Sequence, residues 1–332
     1  MSTSFKALIV EKSEDKQFSR HIGERTIDEL PEGEILIKVQ YSSLNYKDAL
    51  SATGNPGVSR IFPHTPGIDA AGTVVESQSD AFKKGDEVIV TSYDLGMNTA
   101  GGLGQYIRVP QQWVLKRPQG LTAKEAMGFG TAGLTAALMI SALQSNGVTP
   151  EKGPVLVTGA TGGVGSIAVS ILSKLGFNVT AATGKASAED FLKRLGASEV
   201  INRETLLDNS RPMFKEHWAG VVDVVAGDTL ANAIKSCQYN GVVTASGLVG
   251  AVDFTTSIFP FILRGVRLIG IDSVECSMDV RTQAWQALAS DYKVETLESL
   301  VTEITLDQAE SSLLAMLKGQ SHGRIVVNME NS

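Results

Sequence analysis

The chain has 332 residues, 43% of them hydrophobic and 20% charged, with a net charge of −7. That length exceeds one usual core and implies two domains, and the acidic balance argues against general affinity for nucleic acid or an anionic membrane surface. No run approaches the ~18 uninterrupted apolar residues of a membrane span, and the apolar run near the N-terminus is too short for a secretion signal. Cys237 and Cys276 are not spaced as a metal pair and read as free thiols in a reducing compartment. These features lead to the expectation of a soluble, cytoplasmic protein with no nucleic-acid or membrane partner.

In chain order, residues 5–10 (FKALIV) make a first strand, and 34–41 (EILIKVQY) alternate apolar and polar with period two, as a half-buried strand does. The segment 42–54 (SSLNYKDALSATG) opens a short helix near Asp48. Residues 67–75 (GIDAAGTVV), 87–91 (EVIVT) and 105–109 (QYIRV) add strands, so this part is β-rich. From Thr122, with Glu125 at the capping-box position, helical runs continue through Gln144. Strands at 155–157, 178–182, 199–202, 220–225, 241–246 and 266–271 then alternate with helical segments, among them 188–195, stopped by Gly196. That spacing means βαβ units and a parallel sheet. Amphipathic helices over 279–291 and 305–318 and a strand over 323–328 close the chain.

The most informative stretch is 155–165 (VLVTGATGGVG). An apolar strand runs into the turn Gly159, Ala160, Thr161, Gly162, Gly163, Val164 and Gly165, and a helical pattern follows. Strand, glycine turn and helix is the order a dinucleotide diphosphate requires: glycines let the backbone approach the phosphates, and the helix start offers unpaired N–H groups. The alternative is a glycine-rich turn with no ligand. An NAD-specific fold carries Asp or Glu at the end of the next strand for the ribose 2′-hydroxyl. Here that strand ends Ala182-Thr183-Gly184-Lys185, with a hydroxyl and a cation and no carboxylate, and Arg203 follows the third strand. The expected cofactor is NADPH; Lys185 as a plain surface lysine is the competing reading.

With both halves in view, the sequence resembles the zinc-free medium-chain dehydrogenase/reductases, and within them the acryloyl-CoA reductase and quinone-oxidoreductase-like branch. The resemblance rests on 42–50 (SSLNYKDAL), 66–74 (PGIDAAGTV), 130–136 (GTAGLTA), 157–166 (VTGATGGVGS), 260–274 (PFILRGVRLIGIDSV) and 323–327 (GRIVV). It implies an α/β fold: a Rossmann doubly wound parallel sheet over 126–291, and a GroES-like β-rich catalytic domain over 1–125 and 292–332. It further implies a nicotinamide held between the domains and a homodimer paired through 266–271, for which a covered edge strand in a monomer is the alternative. Zinc-dependent relatives place a cysteine near SSLNYKD and a His-Glu pair after the glycine at 67. Here Ile68 and Asp69 follow Gly67, and His21, His64, His217 and His322 are scattered. His64, though near the cleft in sequence, reads as a surface or supporting histidine.

Without a Lewis acid the expected reaction is reduction of an activated C=C bond: hydride from NADPH to the β-carbon of a short 2-enoyl thioester such as acryloyl-CoA, then protonation at the α-carbon. Asn45, Tyr46 and Asp69 are the candidate catalytic residues. Asn45 either donates a hydrogen bond to the substrate or caps the helix near Asp48. Tyr46 touches the cofactor by resemblance and is also a candidate acid, or is simply packed; Asp69 either faces the cleft or braces the loop. For the cofactor the resemblance carries over the glycine turn with Thr161, then Thr183, Gly184, Lys185, Arg203, Leu248, Ile262 and Ser273. Arg324 is either a phosphate or cleft contact or a surface arginine. Other functional readings are a quinone or alkenal reductase, and a non-enzymatic NADPH-binding structural or regulatory protein.

Overall fold

The computed structural model describes residues 3–331. The chain packs as two compact units: one holds the chain up to Thr131, Val274–Ala289 and the chain from Leu297, and the other holds Ala132–Ser273 and Ser290–Thr296. These crossings differ from the sequence boundaries at 125 and 291, and side-chain bonds explain why. Arg281 reaches Thr91 O and Oγ1 at 3.0 Å, tying residues 274–289 to the first unit, whereas Tyr292 donates to Gln144 Oε1 at 2.6 Å in the second.

In the first unit β1 (Ser4–Lys12) pairs antiparallel with β2 (Phe18–Thr26). The β2 sequence, FSRHIGERT, has no apolar alternation and gives no strand signal; nine partners on β1 supply its hydrogen bonds. β3 (Ile35–Ser43) leads into α1 (Tyr46–Ala52), then β4 (Asp69–Ser77), β5 (Glu87–Thr91), β6 (Tyr106–Val109) and the short β7 (Val114–Lys116). Alternate residues of these strands (Ile35, Ile37, Val39, Val88, Val90) turn inward to one core with Leu8, Val10 and Leu44.

α2 (Ala123–Ser145) follows. By length and composition it could cross a membrane, but 78% of its most apolar window is buried inside the protein, as in a core helix. It is broken at Gly130, whose φ of 53° is left-handed.

The second unit is built on β8 (Val155–Val157), α3 (Gly163–Lys174), β9 (Val179–Thr183), α4 (Glu189–Arg194), β10 (Glu199–Asn202), β11 (Trp218–Asp223), α5 (Gly227–Lys235), β12 (Cys237–Ala245), α6 (Phe259–Arg264) and β13 (Arg267–Gly270). The six strands are all parallel, in the order β10-β9-β8-β11-β12-β13. The order reverses between β8 and β11, where such sheets open a ligand crevice at their carboxyl ends. The chain then returns through α7 (Met278–Ala289), α8 (Leu297–Leu300), β14 (Val301–Thr305), α9 (Ala309–Leu317) and β15 (Arg324–Asn328). β15 pairs antiparallel with β3 and parallel with β14, completing a seven-stranded sheet. The result is a β-rich unit and a doubly wound parallel sheet in one chain, the two-part architecture that the resemblance implies.

Candidate active site

The glycine turn lies at the carboxyl end of β8. Gly159 has φ 57°, and a Cβ on Gly165 would lie 2.4 Å from Gly159 O, so only glycine lets α3 start this close to the turn. Gly162 is exposed, and a Cβ there would meet only Gly159 O, at 3.4 Å, so the helix start faces open space. Beneath the turn the buried Asp223 at the end of β11 accepts from Thr158 Oγ1 at 2.7 Å and from Ala226 N at 2.8 Å. Burial raises its pKa, with these bonds opposing. Ala160 N and Gly162 N are bonded to Ala182 O and Gly159 O, and the first-turn amides of α3, which lack intrahelical acceptors, are suited to a diphosphate.

At the end of β9, Asn202 is paired opposite Thr183, so the next residue, Arg203, falls beside Gly184. A Cβ on Gly184 would lie 2.7 Å from Arg203 Nε, so the guanidinium covers the glycine directly. The Lys185 amide is fixed by Thr183 Oγ1 at 3.0 Å, and partial burial pulls the lysine below its ordinary pKa. Register thus brings together two cations separated by 17 intervening residues of sequence. Of the other expected cofactor residues, Ser273 is buried and accepts from Thr135 Oγ1 at 2.8 Å, Thr161 is buried, and Leu248 and Ile262 are both 65% exposed.

In the first unit the structure gathers Asn45, Asp69 and Arg324 around one buried ion pair. Asp69 is 0% and Arg324 3% exposed, and Arg324 Nη2 stands 3.7 Å from Asp69 Oδ2. Asp69 Oδ2 also accepts from Ser43 Oγ and Asn45 Nδ2, each at 2.7 Å; Oδ1 accepts from Thr131 Oγ1 at 2.6 Å. Arg324 donates to Gly128 O, Leu44 O, Asn45 Oδ1 and Ser43 Oγ, at 2.8–3.2 Å. Arg324 is therefore no surface arginine, and these four bonds hold its guanidinium inside the first unit. Asn45 is held from both sides, its oxygen by Arg324 and its nitrogen by Asp69. Asn45 is the N-cap residue of α1, so these bonds fix the entry to that helix. Tyr46, the first residue of α1, is 43% exposed. Sequence reasoning missed Ser43, Gly130 and Thr131; the last two open the GTAGLTA stretch, in which no charge or nucleophile draws attention. His64 is not at the surface but buried, with Nε2 2.8 Å from Gly96 O.

Asp48 completes the cluster. It is fully buried; Oδ1 accepts from Ile68 N at 2.8 Å and Oδ2 from Asn45 N at 2.7 Å. Burial, and then the charge of Asp69, push its pKa up to about 7 against those bonds. Among the described residues no three His, Cys, Asp or Glu side chains come together as a metal site. Asp69 already faces a guanidinium, Asp48 accepts from two backbone amides, and their other neighbours are hydroxyls and a side-chain amide, a donor set that does not fit zinc.

Two family models match the chain: the alcohol dehydrogenase GroES-like domain over 31–119 and the zinc-binding dehydrogenase over 163–290. A putative quinone oxidoreductase of Bacillus subtilis is 48% identical over 99% of this chain and 100% of its own length. Its structure, solved with NAD bound, covers 98% of this chain and 100% of its own with a TM-score of 0.96. A probable acrylyl-CoA reductase of Escherichia coli is 44% identical over 97% of this chain and 99% of its own. The yhdH oxidoreductase of Salmonella enterica, solved with NADP, is 41% identical over 97% of this chain and 99% of its own, at TM-score 0.95.

The raised pKa of Asp48 fixes a pH dependence. The unfolded chain loses this proton near pH 3.8 while the folded chain keeps it up to about 7, so stability falls as pH rises across that window and levels off above it. Denaturant unfolding from pH 4 to 8 should show this slope, and Asp48→Asn should flatten it.

Proposed function

The chain belongs to the medium-chain dehydrogenase/reductase family, and from that premise we propose that it reduces the C=C bond of a short 2-enoyl thioester, acryloyl-CoA to propanoyl-CoA, using NADPH. At the coarser level it is an NADPH-dependent oxidoreductase with enoyl reductase or quinone reductase activity. The observation that carries the finer reading is the end-to-end likeness to the Escherichia coli acrylyl-CoA reductase, unbroken by insertions of domain size.

Bound NADPH would supply a hydride to the β-carbon. The glycine turn holds the diphosphate, and Lys185 with Arg203 receives the 2′-phosphate. Tyr46 stands as the candidate to flank the nicotinamide and to hydrogen-bond the thioester oxygen as charge develops there, with water as the other proton source at the α-carbon. Asn45, Asp69 and Arg324 position that tyrosine rather than touch substrate. The quinone reading is favoured by the name of the Bacillus subtilis relative, and the NAD in its structure speaks against strict NADPH selectivity. A homodimer is supported by the exposed apolar side chains Leu248, Val249, Val252, Ile258, Ile262 and Leu263, which lie in the segment leading into the edge strand β13. Cys237 and Cys276 form no disulfide, which suits the cytoplasm.

Lys185→Glu and Arg203→Glu should each raise KM for NADPH about tenfold or more, as loss of a charge-assisted bond implies, with KM for NADH little changed; equal effects would refute the assignment. Turnover of acryloyl-CoA should exceed that of a simple quinone and of acrolein; preference for free quinone makes the protein a quinone reductase, and binding of NADPH with no turnover of any of the three makes it a binding protein. Sedimentation should give a dimer, and Leu263→Glu should shift it toward monomer.

A further inference from the structure

The break in α2 meets the buried ion pair. The first helical segment ends at Gly130, where its carbonyl ends carry partial negative charge, and Arg324 Nε donates to Gly128 O at 3.1 Å. The second segment starts at Thr131, where partial positive charge gathers, and Thr131 N donates to both oxygens of Asp69 at 3.0 Å. Each charge of the pair thus complements one of the two helix ends made by the break. A Cβ on Gly130 would lie 2.4 Å from Asp69 Oδ2, 2.6 Å from Ser43 Oγ and 2.8 Å from Arg324 Nη2, so the pair fits only against glycine.

Thr131 extends the connection. Its hydroxyl donates to Asp69 Oδ1, so at the 2.9 Å contact with Ser92 the serine hydroxyl donates and Thr131 accepts. Ser92 and Tyr93 both hold left-handed φ, 66° and 51°, which is unusual for non-glycine residues and marks sites held by their surroundings. They are held by Ser92 N on Ile68 O at 2.7 Å, by Arg281 on Thr91 O at 3.0 Å, and by the Arg281 guanidinium 4.3 Å above the Tyr93 ring.

We infer that the α2 break is a positioning device, in which Thr131, braced by Ser92, fixes the Asp69 carboxylate and through it Asn45 and the start of α1 that carries Tyr46. This deepens the proposed function and rests on Tyr46 belonging to the site.

The test uses the full chain with NADPH. Thr131→Val keeps the backbone N–H on Asp69 and the side-chain shape but removes the hydroxyl from both Asp69 and Ser92. Amide exchange at residues 44–48 should quicken about tenfold. kcat with acryloyl-CoA should fall by a similar factor while KM for NADPH stays within about twofold, because the glycine turn lies on other elements. Thr131→Ser should restore both, and Ser92→Ala, which leaves every bond to Asp69 in place, should give a smaller change in the same direction. Unchanged exchange at 44–48 in Thr131→Val overturns the inference, as does faster exchange throughout the β3–β4–β5 sheet, which would mark a general loss of stability. The exchange result needs no substrate, so it stands even if acryloyl-CoA proves the wrong one. If Thr131→Val fails to fold, Ser92→Ala decides by the same readout.

Discussion

One buried ion pair organises the first unit. Asp69 on β4 and Arg324 on β15 come from opposite ends of the chain and are joined by β3, which lies between them in the sheet. A buried pair is weak evidence of net stability, but a lone partner left behind typically costs about 3–5 kcal/mol. The structure accordingly surrounds both charges with bonds. Ser43 relays between them, accepting from Arg324 and donating to Asp69, and Asn45 bridges them through both ends of its amide. Such a cluster leaves little freedom to any member, which suits the positioning role proposed for it.

The same cluster explains the chemistry open to this chain. A carboxylate that already faces a guanidinium, among hydroxyls and amides, is not poised as a metal ligand, and the buried Asp48 beside it adds acid without adding a histidine or thiolate. For the proposed enoyl reduction the protein then supplies orientation and hydrogen bonding, which suits a substrate whose developing charge spreads onto a conjugated carbonyl.

In the second unit the proposed diphosphate site is built from backbone rather than side chains. Gly159 and Gly165 bring the start of α3 against the turn, and the buried Thr158–Asp223 pair keeps the floor rigid. At the end of β9 register sets Arg203 over Gly184, the residue before Lys185.

The sequence by itself determined what depends on local pattern. The period-two strands, the glycine turn, the alternation of strands and helices, and the missing acid after β9 are all written in adjacent residues, and so the two-unit architecture and the cofactor class were legible. β2 was not, because its polar sequence becomes a strand only against β1, and Met278–Ala289 was assigned to the wrong unit because its anchor, Arg281, bonds to a strand some 190 residues earlier. The roles within the cluster were equally out of reach. Whether Arg324 met solvent or a buried acid, what holds the two ends of the Asn45 amide, and why Gly130 and Thr131 stand where they do depend on residues that approach only after the sheet closes β15 onto β3. Only tertiary structure could decide them, since a hydrogen bond is a matter of distance in space and no spacing along the chain encodes it.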